Sequence, residues 1–394
     1  DNQADDYYMS LDNGIVPRYI LTSDFQNFRL RDLEDQGSWD FTLKQLPKKL
    51  HLFPFMDGKE RDVEEEAVSI RASKLMDAAY KSMRETGYNE KHMGLYLTRL
   101  AYCMFAEDSE VFEETKRMFI DFLKSKTDDN GSDLGEKLDA LFATLNTPRK
   151  RRQITLDSDM KCFPYINGGL FSKRLDICSF TKTARKKIIK ASEFNWRDVS
   201  PSIFGSMFEG IMKKEERRLR GSHYTSTENV LRVIKPLFLD ELYDEFNEII
   251  NSHVGSMEKK LLKFQTKLSK LKFLDPACGS GSFLITTYKE LRKLELDVIR
   301  KLYTDRSLGK SSILSKVNVD QFYGIELDEF PARITETAMW MTDHQMNMEL
   351  VNRYEGKHVR IPLMKQANIH RRNALTIDWN KILKSDECSY ILGN

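Results

Sequence analysis

Residues 271–283 read Leu-Lys-Phe-Leu-Asp-Pro-Ala-Cys-Gly-Ser-Gly-Ser-Phe, an apolar run that ends in an acid and then meets two glycines. The pattern predicts a strand, a tight turn and a helix start. Phe273 and Leu274 close a short buried strand, while Gly279 and Gly281 permit backbone conformations and a close ligand approach that a side chain would block. A helix follows from about Ser282, with Leu284, Tyr288, Leu291, Val298 and Leu302 on one face. Its first backbone N–H groups face whatever sits in the turn. A dinucleotide fold would want a third glycine where Leu284 stands, so the loop alone leaves other α/β nucleotide binders open.

The rest of the chain narrows the choice. Its 394 residues suit two or three domains, and 62 basic against 60 acidic side chains give a net charge of +2,. Composition therefore makes no case for nucleic acid, and any DNA surface must come from local patches. Five cysteines without a C-x-x-C pair read as reduced thiols in a cytoplasmic protein, with no metal site,. No membrane span or signal peptide is visible, and an opening of Asp1-Asn2-Gln3 without an initiator Met suggests a start inside a longer protein,.

Upstream, residues 15–56 read as strand and turn, with Tyr19-Ile20-Leu21 and Phe28-Arg29-Leu30-Arg31 joined through Asp24 to Asn27 as a hairpin,. Asp5, Asp24, Asp32 and Glu34 read as solvated turn carboxylates. From Asp62 to Leu145 the spacing Val68, Ala72, Leu75, Ala79 predicts helices,. Pro148-Arg149-Lys150-Arg151-Arg152 then marks a boundary, either a solvated linker or a strip that contacts phosphates. Further on, Thr225 or Ser226 caps a helix through Val233, Leu237 and Leu242, and Met257 to Lys272 reads as a surface helix,. Asp320 to Asp328 gives a second strand ending in acids. Arg372 to Asp378 and Cys388 to Asn394 form two more strand-end loops.

Asp275-Pro276-Ala277-Cys278-Gly279-Ser280-Gly281-Ser282-Phe283-Leu284 closely resembles the S-adenosylmethionine loop of amino-group DNA methyltransferases. Added to Phe163 to Phe171, Ser222-His223-Tyr224-Thr225-Ser226, Phe322 to Glu326, Asp343 to Met348 and Tyr390 to Asn394, it makes the chain from about Tyr19 to Asn394 resemble the MmeI-like type IIL restriction-modification enzymes. Those are single chains that join a nuclease, a helical connector, an adenine-specific methyltransferase and a recognition domain. The resemblance implies an α/β fold: a Rossmann-like methyltransferase sheet in 151–394, preceded by an α-helical connector in 61–150 and a small β remnant of the nuclease domain in 1–60.

It also implies S-adenosylmethionine as cofactor, double-stranded DNA as partner and a bacterial or archaeal cytoplasm as location. Tyr224 and Thr225 would hold the methionine end. Asp275, Ala277, Gly279, Gly281 and Phe283 would line the loop, Glu326 would accept the ribose hydroxyls with Asp328 as fallback, and Asn373 and Ala374 would hold the adenine ring. Glu326 also reads as a helix cap. Asn394 is the expected catalytic residue, the first of the family's Asn-Pro-Pro-aromatic motif. The Asp then Glu-x-Lys spacing of the nuclease core does not occur near the start, and the sequence stops at Asn394. The expected outcome is a chain that binds cofactor and is incomplete for catalysis. The alternative is a non-catalytic binding or assembly module on the same fold.

Overall fold

Asp24 builds the first turn. Its Oδ1 accepts from the backbone N–H groups of Gln26 (2.9 Å) and Asn27 (2.6 Å), and these bonds, Asn27's foremost, hold its carboxyl below the usual carboxylate range. The hairpin is β1 (Tyr19–Ser23) against β2 (Asn27–Asp32), with Leu21 opposite Leu30. A third strand that the sequence reading did not resolve, β3 (Gly37–Thr42), pairs antiparallel with β2. Leu30, Phe41 and Phe53 form its core, and Phe28 stacks on Phe41 at 5.6 Å. The computed structural model describes residues 19–32, 37–49, 52–53, 60–112, 117–166, 169–205, 225–252, 256–304, 315–353 and 367–394. Asp5 and Glu34 lie outside them. The chain divides into two units, 1–67 and 68–394.

Helices form where the apolar spacing predicts them: α1 (Glu60–Arg84), α2 (Glu90–Asp108), α3 (Met118–Ser125) and α4 (Leu134–Leu145). Their shared core includes Met76, Leu97, Leu100, Phe105, Phe119, Leu138 and Phe142. That core does not part at 150. Met160, Phe163, Leu170 and Phe171, then Ala184 and Ile188 of α5 (Lys182–Ser192) and Trp196, fill the same cluster.

Arginines make the continuation possible. Arg152 donates to the carbonyls of Thr144 (3.0 Å), Thr147 (3.0 Å), Lys161 (2.9 Å) and Phe163 (2.6 Å), satisfying the open end of α4 and pinning the next stretch onto it. Arg99 does the same for the loop beyond, donating to Leu170 O (2.9 Å) and Lys173 O (2.6 Å), with its guanidinium over the Phe142 ring. Within the basic boundary, Arg152 is thus a structural staple, while Lys150 and Arg151 are exposed. Residues 203–205 have helical backbone, and the course of the chain from 206 to 224 lies outside the described residues.

Ser226 caps α6 (Thr227–Ile234), accepting from Asn229 N–H. Pro236, which has no N–H to donate, falls in a widened π turn, Lys235–Leu239, before α7 (Asp240–Asn251),. After α8 (Met257–Leu268) come β4 (Phe273–Asp275), α9 (Ser282–Thr304), β5 (Phe322–Glu326), α10 (Glu329–Arg353), β6 (Asn368–Arg371) and β7 (Tyr390–Ile391). Among the described residues these strands form one parallel sheet in the order β6-β5-β4-β7. The chain therefore steps from β4 outward through β5 to β6, then returns to the other side of β4. That reversal is a topological switch point, where the loops on either side diverge and leave a crevice at the carboxyl ends of the strands.

α10 serves two neighbours at once. Asp343 and Asn347, one turn apart, reach Arg292 of α9. His344 Nε2 lies 2.7 Å from Ser109 O, and Gln345 donates to Arg197 O (2.8 Å) and Val199 O (2.9 Å), fastening the sheet to the helical core. Phe330 packs so closely on Gly94 of α2 that a Cβ there would lie 2.4 Å from its ring.

Candidate functional site

The site is assembled from strand ends. β4 delivers Asp275, which is 2% exposed and accepts a hydrogen bond from Ala277 N–H at 3.0 Å. Burial pushes its carboxyl up to about 7, and the nearby charge of Glu326 adds to the effect against the Ala277 bond,. The chain then turns: Gly281 N donates to Cys278 O (2.7 Å), and Cys278 N donates to Ile325 O (3.0 Å), tying the loop to the neighbouring strand.

The two glycines have different tasks. Gly279, at φ +53°, has nothing within 4 Å of where a Cβ would stand, so this part of the loop faces open space. Gly281, at φ +87°, would drive a Cβ to 2.7 Å from Thr335 Cγ2 of α10, so only glycine fits without strain,. Thr335 completes the packing by donating to Gly279 O at 2.9 Å. The sequence reading did not name Thr335; its place one turn after Pro331 on the helix following the second acid was the available signal.

Glu326 ends β5 and organises this half of the site. Oε2 accepts from Gly279 N–H (2.9 Å) and Oε1 from Asp328 N–H (2.8 Å). Glu326 thus caps its own turn, and each oxygen, with two lone pairs, keeps further acceptor capacity. Asp328 offers its backbone to Glu326. The loop after β6 is drawn alongside by Arg372 N–H, which donates to Glu326 O at 2.9 Å. There Asn373 Oδ1 accepts from Leu375 N–H (2.9 Å), and Ala374 O accepts from Trp379 Nε1 (2.8 Å). These bonds fix the loop's shape and leave Leu375 94% exposed; Leu327, directly after β5, is 63% exposed.

On the other side of β4, Leu392 N–H donates to Leu274 O (2.9 Å), extending the pairing of β7 and carrying Gly393 and Asn394 past Asp275. Gly393 has φ +145°, and a Cβ on it would stand 3.0 Å from Asp275 Oδ1. Asn394 Nδ2 donates to Thr225 Oγ1 at 2.8 Å, joining residues 169 positions apart.

The fold therefore brings Thr225, Asp275, Ala277, Gly279, Gly281, Glu326 and Asn394 to one end of the sheet, with Asn373 and Ala374 beside Glu326. Phe283 differs from its expected place: its ring is 4% exposed within the apolar cluster that holds Phe273 and Leu284, so the side chain supports the loop from below. Tyr224 and His223 lie outside the described residues. No helix among those described is long and apolar enough to cross a membrane.

Known proteins match most of the chain. The family model for the DNA-methyltransferase domain of MmeI matches residues 251–394, that for its helicase spacer domain residues 91–171, and that for its N-terminal domain residues 1–86. DNA methyltransferase A of Bacillus subtilis (strain 168) is 35% identical over 387 residues, which is 96% of this chain and 43% of the relative. The solved structure of the type IIL restriction-modification enzyme MmeI in complex with DNA superposes with a TM-score of 0.71 at 44% identity, over 82% of this chain and 42% of that one. This chain spans less than half the length of either relative. With three MmeI domain models matching in order and a solved MmeI structure superposing on most of it, the chain belongs to the MmeI-like family.

Proposed function

We propose that the chain carries the methyl-donor half of a site-specific DNA methyltransferase of a restriction-modification system, one that methylates the exocyclic amino group of adenine in double-stranded DNA. The observation that carries this reading is the meeting of Asp275, Glu326 and the Thr225–Asn394 pair at the switch point of the parallel sheet. The relatives named as a DNA methyltransferase and as an enzyme in complex with DNA point the same way.

S-adenosylmethionine suits the residues present. Gly279 faces open space beside a buried carboxylate, Glu326 retains lone pairs for two vicinal hydroxyls, and the exposed Leu327 and Leu375 offer apolar surface for a flat adenine ring,. Tyr224, Thr225 and Asp275 would hold the methionine end, the backbone of Ala277, Gly279, Gly281 and Phe283 would line its path, and Asn373 and Ala374 would border the adenine. The cofactor supplies an activated methyl group, so the protein's part is alignment. Asn394 would accept from the amino group of an adenine rotated out of the duplex and hold its lone pair toward the methyl carbon. By resemblance to the family, a Pro-Pro-aromatic segment would complete that grip.

Transfer of labelled methyl from S-adenosylmethionine to adenine-containing duplex by the full-length enzyme, sharply slowed but still measurable in Asn394→Ala, is the expected outcome. Binding of a nicotinamide dinucleotide in place of S-adenosylmethionine would reject the reading in favour of an oxidoreductase.

A further inference from the structure

Thr225 does more at this site than a cofactor contact requires. Its hydroxyl accepts from Asn394 Nδ2 at 2.8 Å. A hydroxyl has one hydrogen and two lone pairs, so with Asn394 on a lone pair the hydrogen stays available for an acceptor on the cofactor side. With that hydrogen given to the cofactor side, the hydroxyl can only accept from Asn394, and this sets which way the amide faces. With Nδ2 turned to Thr225, Oδ1 is the atom left to receive an amino group; a half-turn of the amide would present N–H groups to a donor, which cannot bond.

Three further features make this a built arrangement. Asn394 follows Gly393, whose φ of +145° and close approach to Asp275 Oδ1 fix where the amide leaves the strand. Leu392 is bonded to Leu274, so the loop is anchored one residue before that glycine. Thr225 stands directly before Ser226, the N-cap that accepts from Asn229 N–H, so its backbone is held by the start of α6. Two anchored ends therefore meet through one hydrogen bond.

We infer that Thr225 is a positioning residue for Asn394, setting its amide so that Oδ1 faces the target amino group and coupling that orientation to the cofactor's methionine end. The inference rests on the methyltransferase reading and adds a residue role to it. It makes a demand that a plain cofactor contact does not. Loss of the hydroxyl must slow turnover when cofactor is saturating, because the amide is then free to turn.

The test is steady-state methylation by the full-length enzyme carrying Thr225→Val or Thr225→Ser, with KM for S-adenosylmethionine and kcat measured separately. Thr225→Val is expected to lower kcat by roughly 10-fold, the factor that corresponds to about 1.4 kcal/mol, the upper end for one neutral hydrogen bond. Thr225→Ser, which keeps the hydroxyl, is expected to stay within about 3-fold of the unsubstituted enzyme, a tolerance of under 1 kcal/mol. In Asn394→Ala, where the amide is gone, adding Thr225→Val should cost no further kcat. A rise in KM for the cofactor with kcat unchanged would overturn the inference and leave the methyltransferase reading standing. An unsubstituted enzyme that transfers no methyl group would overturn both. A lowered melting temperature shared equally by the Val and Ser variants, with equal losses of kcat, would assign Thr225 to folding and also overturn the inference.

Discussion

Asp343 and Asp275 are both buried acids in the sheet half of the protein, 8% and 2% exposed, and their surroundings are opposite. Asp343 sits between α9 and α10 with the Tyr288 hydroxyl and Arg292 Nη1 (3.1 Å) donating to it. Arg292 also donates to Tyr288 Oη (2.8 Å) and Asn347 Oδ1 (3.0 Å) and pairs with Glu295. Glu295 in turn accepts from Gln265 Nε2 (3.0 Å), Ser315 Oγ (2.5 Å) and Val317 N–H (3.1 Å). Asp275 has the Ala277 N–H and a second carboxylate, Glu326, for company. One acid is neutralised by its own protein; the other is held in the cleft in an environment that disfavours its charge. A buried carboxylate in a cleft with its charge disfavoured marks a candidate functional site.

The contrast has measurable sides. Arg292→Met would leave Asp343 and Glu295 buried without their cation, and is expected to cost about 3–5 kcal/mol of stability in chemical denaturation. Cofactor affinity of the folded protein should hold, because the network lies away from the strand ends. Asp275→Asn is expected to do the reverse. A folded carboxyl raised to about 7 from 3.8 contributes fully below the unfolded value, and its contribution is lost as the pH rises through 7,. Asn carries no such penalty, so denaturation at pH 8 should find the variant more stable by roughly 2–4 kcal/mol, a gain that vanishes below about pH 4. The same substitution should weaken cofactor binding. A variant no more stable at pH 8 than at pH 4, relative to the parent, would mean that Asp275 has compensation of the kind seen at Asp343.

Smaller effects refine the picture. Glu326→Gln keeps an acceptor for one backbone N–H and is expected to weaken S-adenosylmethionine binding by about 10-fold or more, as for loss of a charge-assisted bond, with a minor change in melting temperature. Equal losses of both would make Glu326 a turn cap alone. Leu375→Ser, at a side chain 94% exposed, should leave stability within about 0.5 kcal/mol while lowering affinity a few-fold if the residue covers the adenine; an unchanged affinity would remove it from the site.

The strand-end loops were the more legible part of the sequence, for a physical reason. Loops at strand ends carry their chemistry in short contiguous strings, so Asp275 to Phe283 and Glu326 could be read directly. The buried network could not, although its signal was present: Arg292 and Glu295 occupy the stripe of α9 that Tyr288, Leu291 and Val298 mark as apolar, and a charged pair on such a stripe points to burial with a partner. The continuation of the apolar core past residue 150 was hidden for a related reason. Pro148 to Arg152 has the composition of a solvated linker, but four carbonyls at the end of α4 and beyond take up Arg152, and the apolar core runs on to Phe204. The Thr225–Asn394 bond was beyond reach of any local pattern, since its two ends are 169 residues apart and meet only once β7 returns beside β4.

Titration calorimetry of the chain with S-adenosylmethionine tests the central claim most directly. Saturable binding in the micromolar range or weaker, about −8 kcal/mol at 1 μM, reduced by Glu326→Gln and by Asp275→Asn but unaffected by Arg292→Met under conditions where that variant stays folded, is the predicted result. No heat with the cofactor, or binding that all three substitutions lower in proportion to their stability, would contradict it.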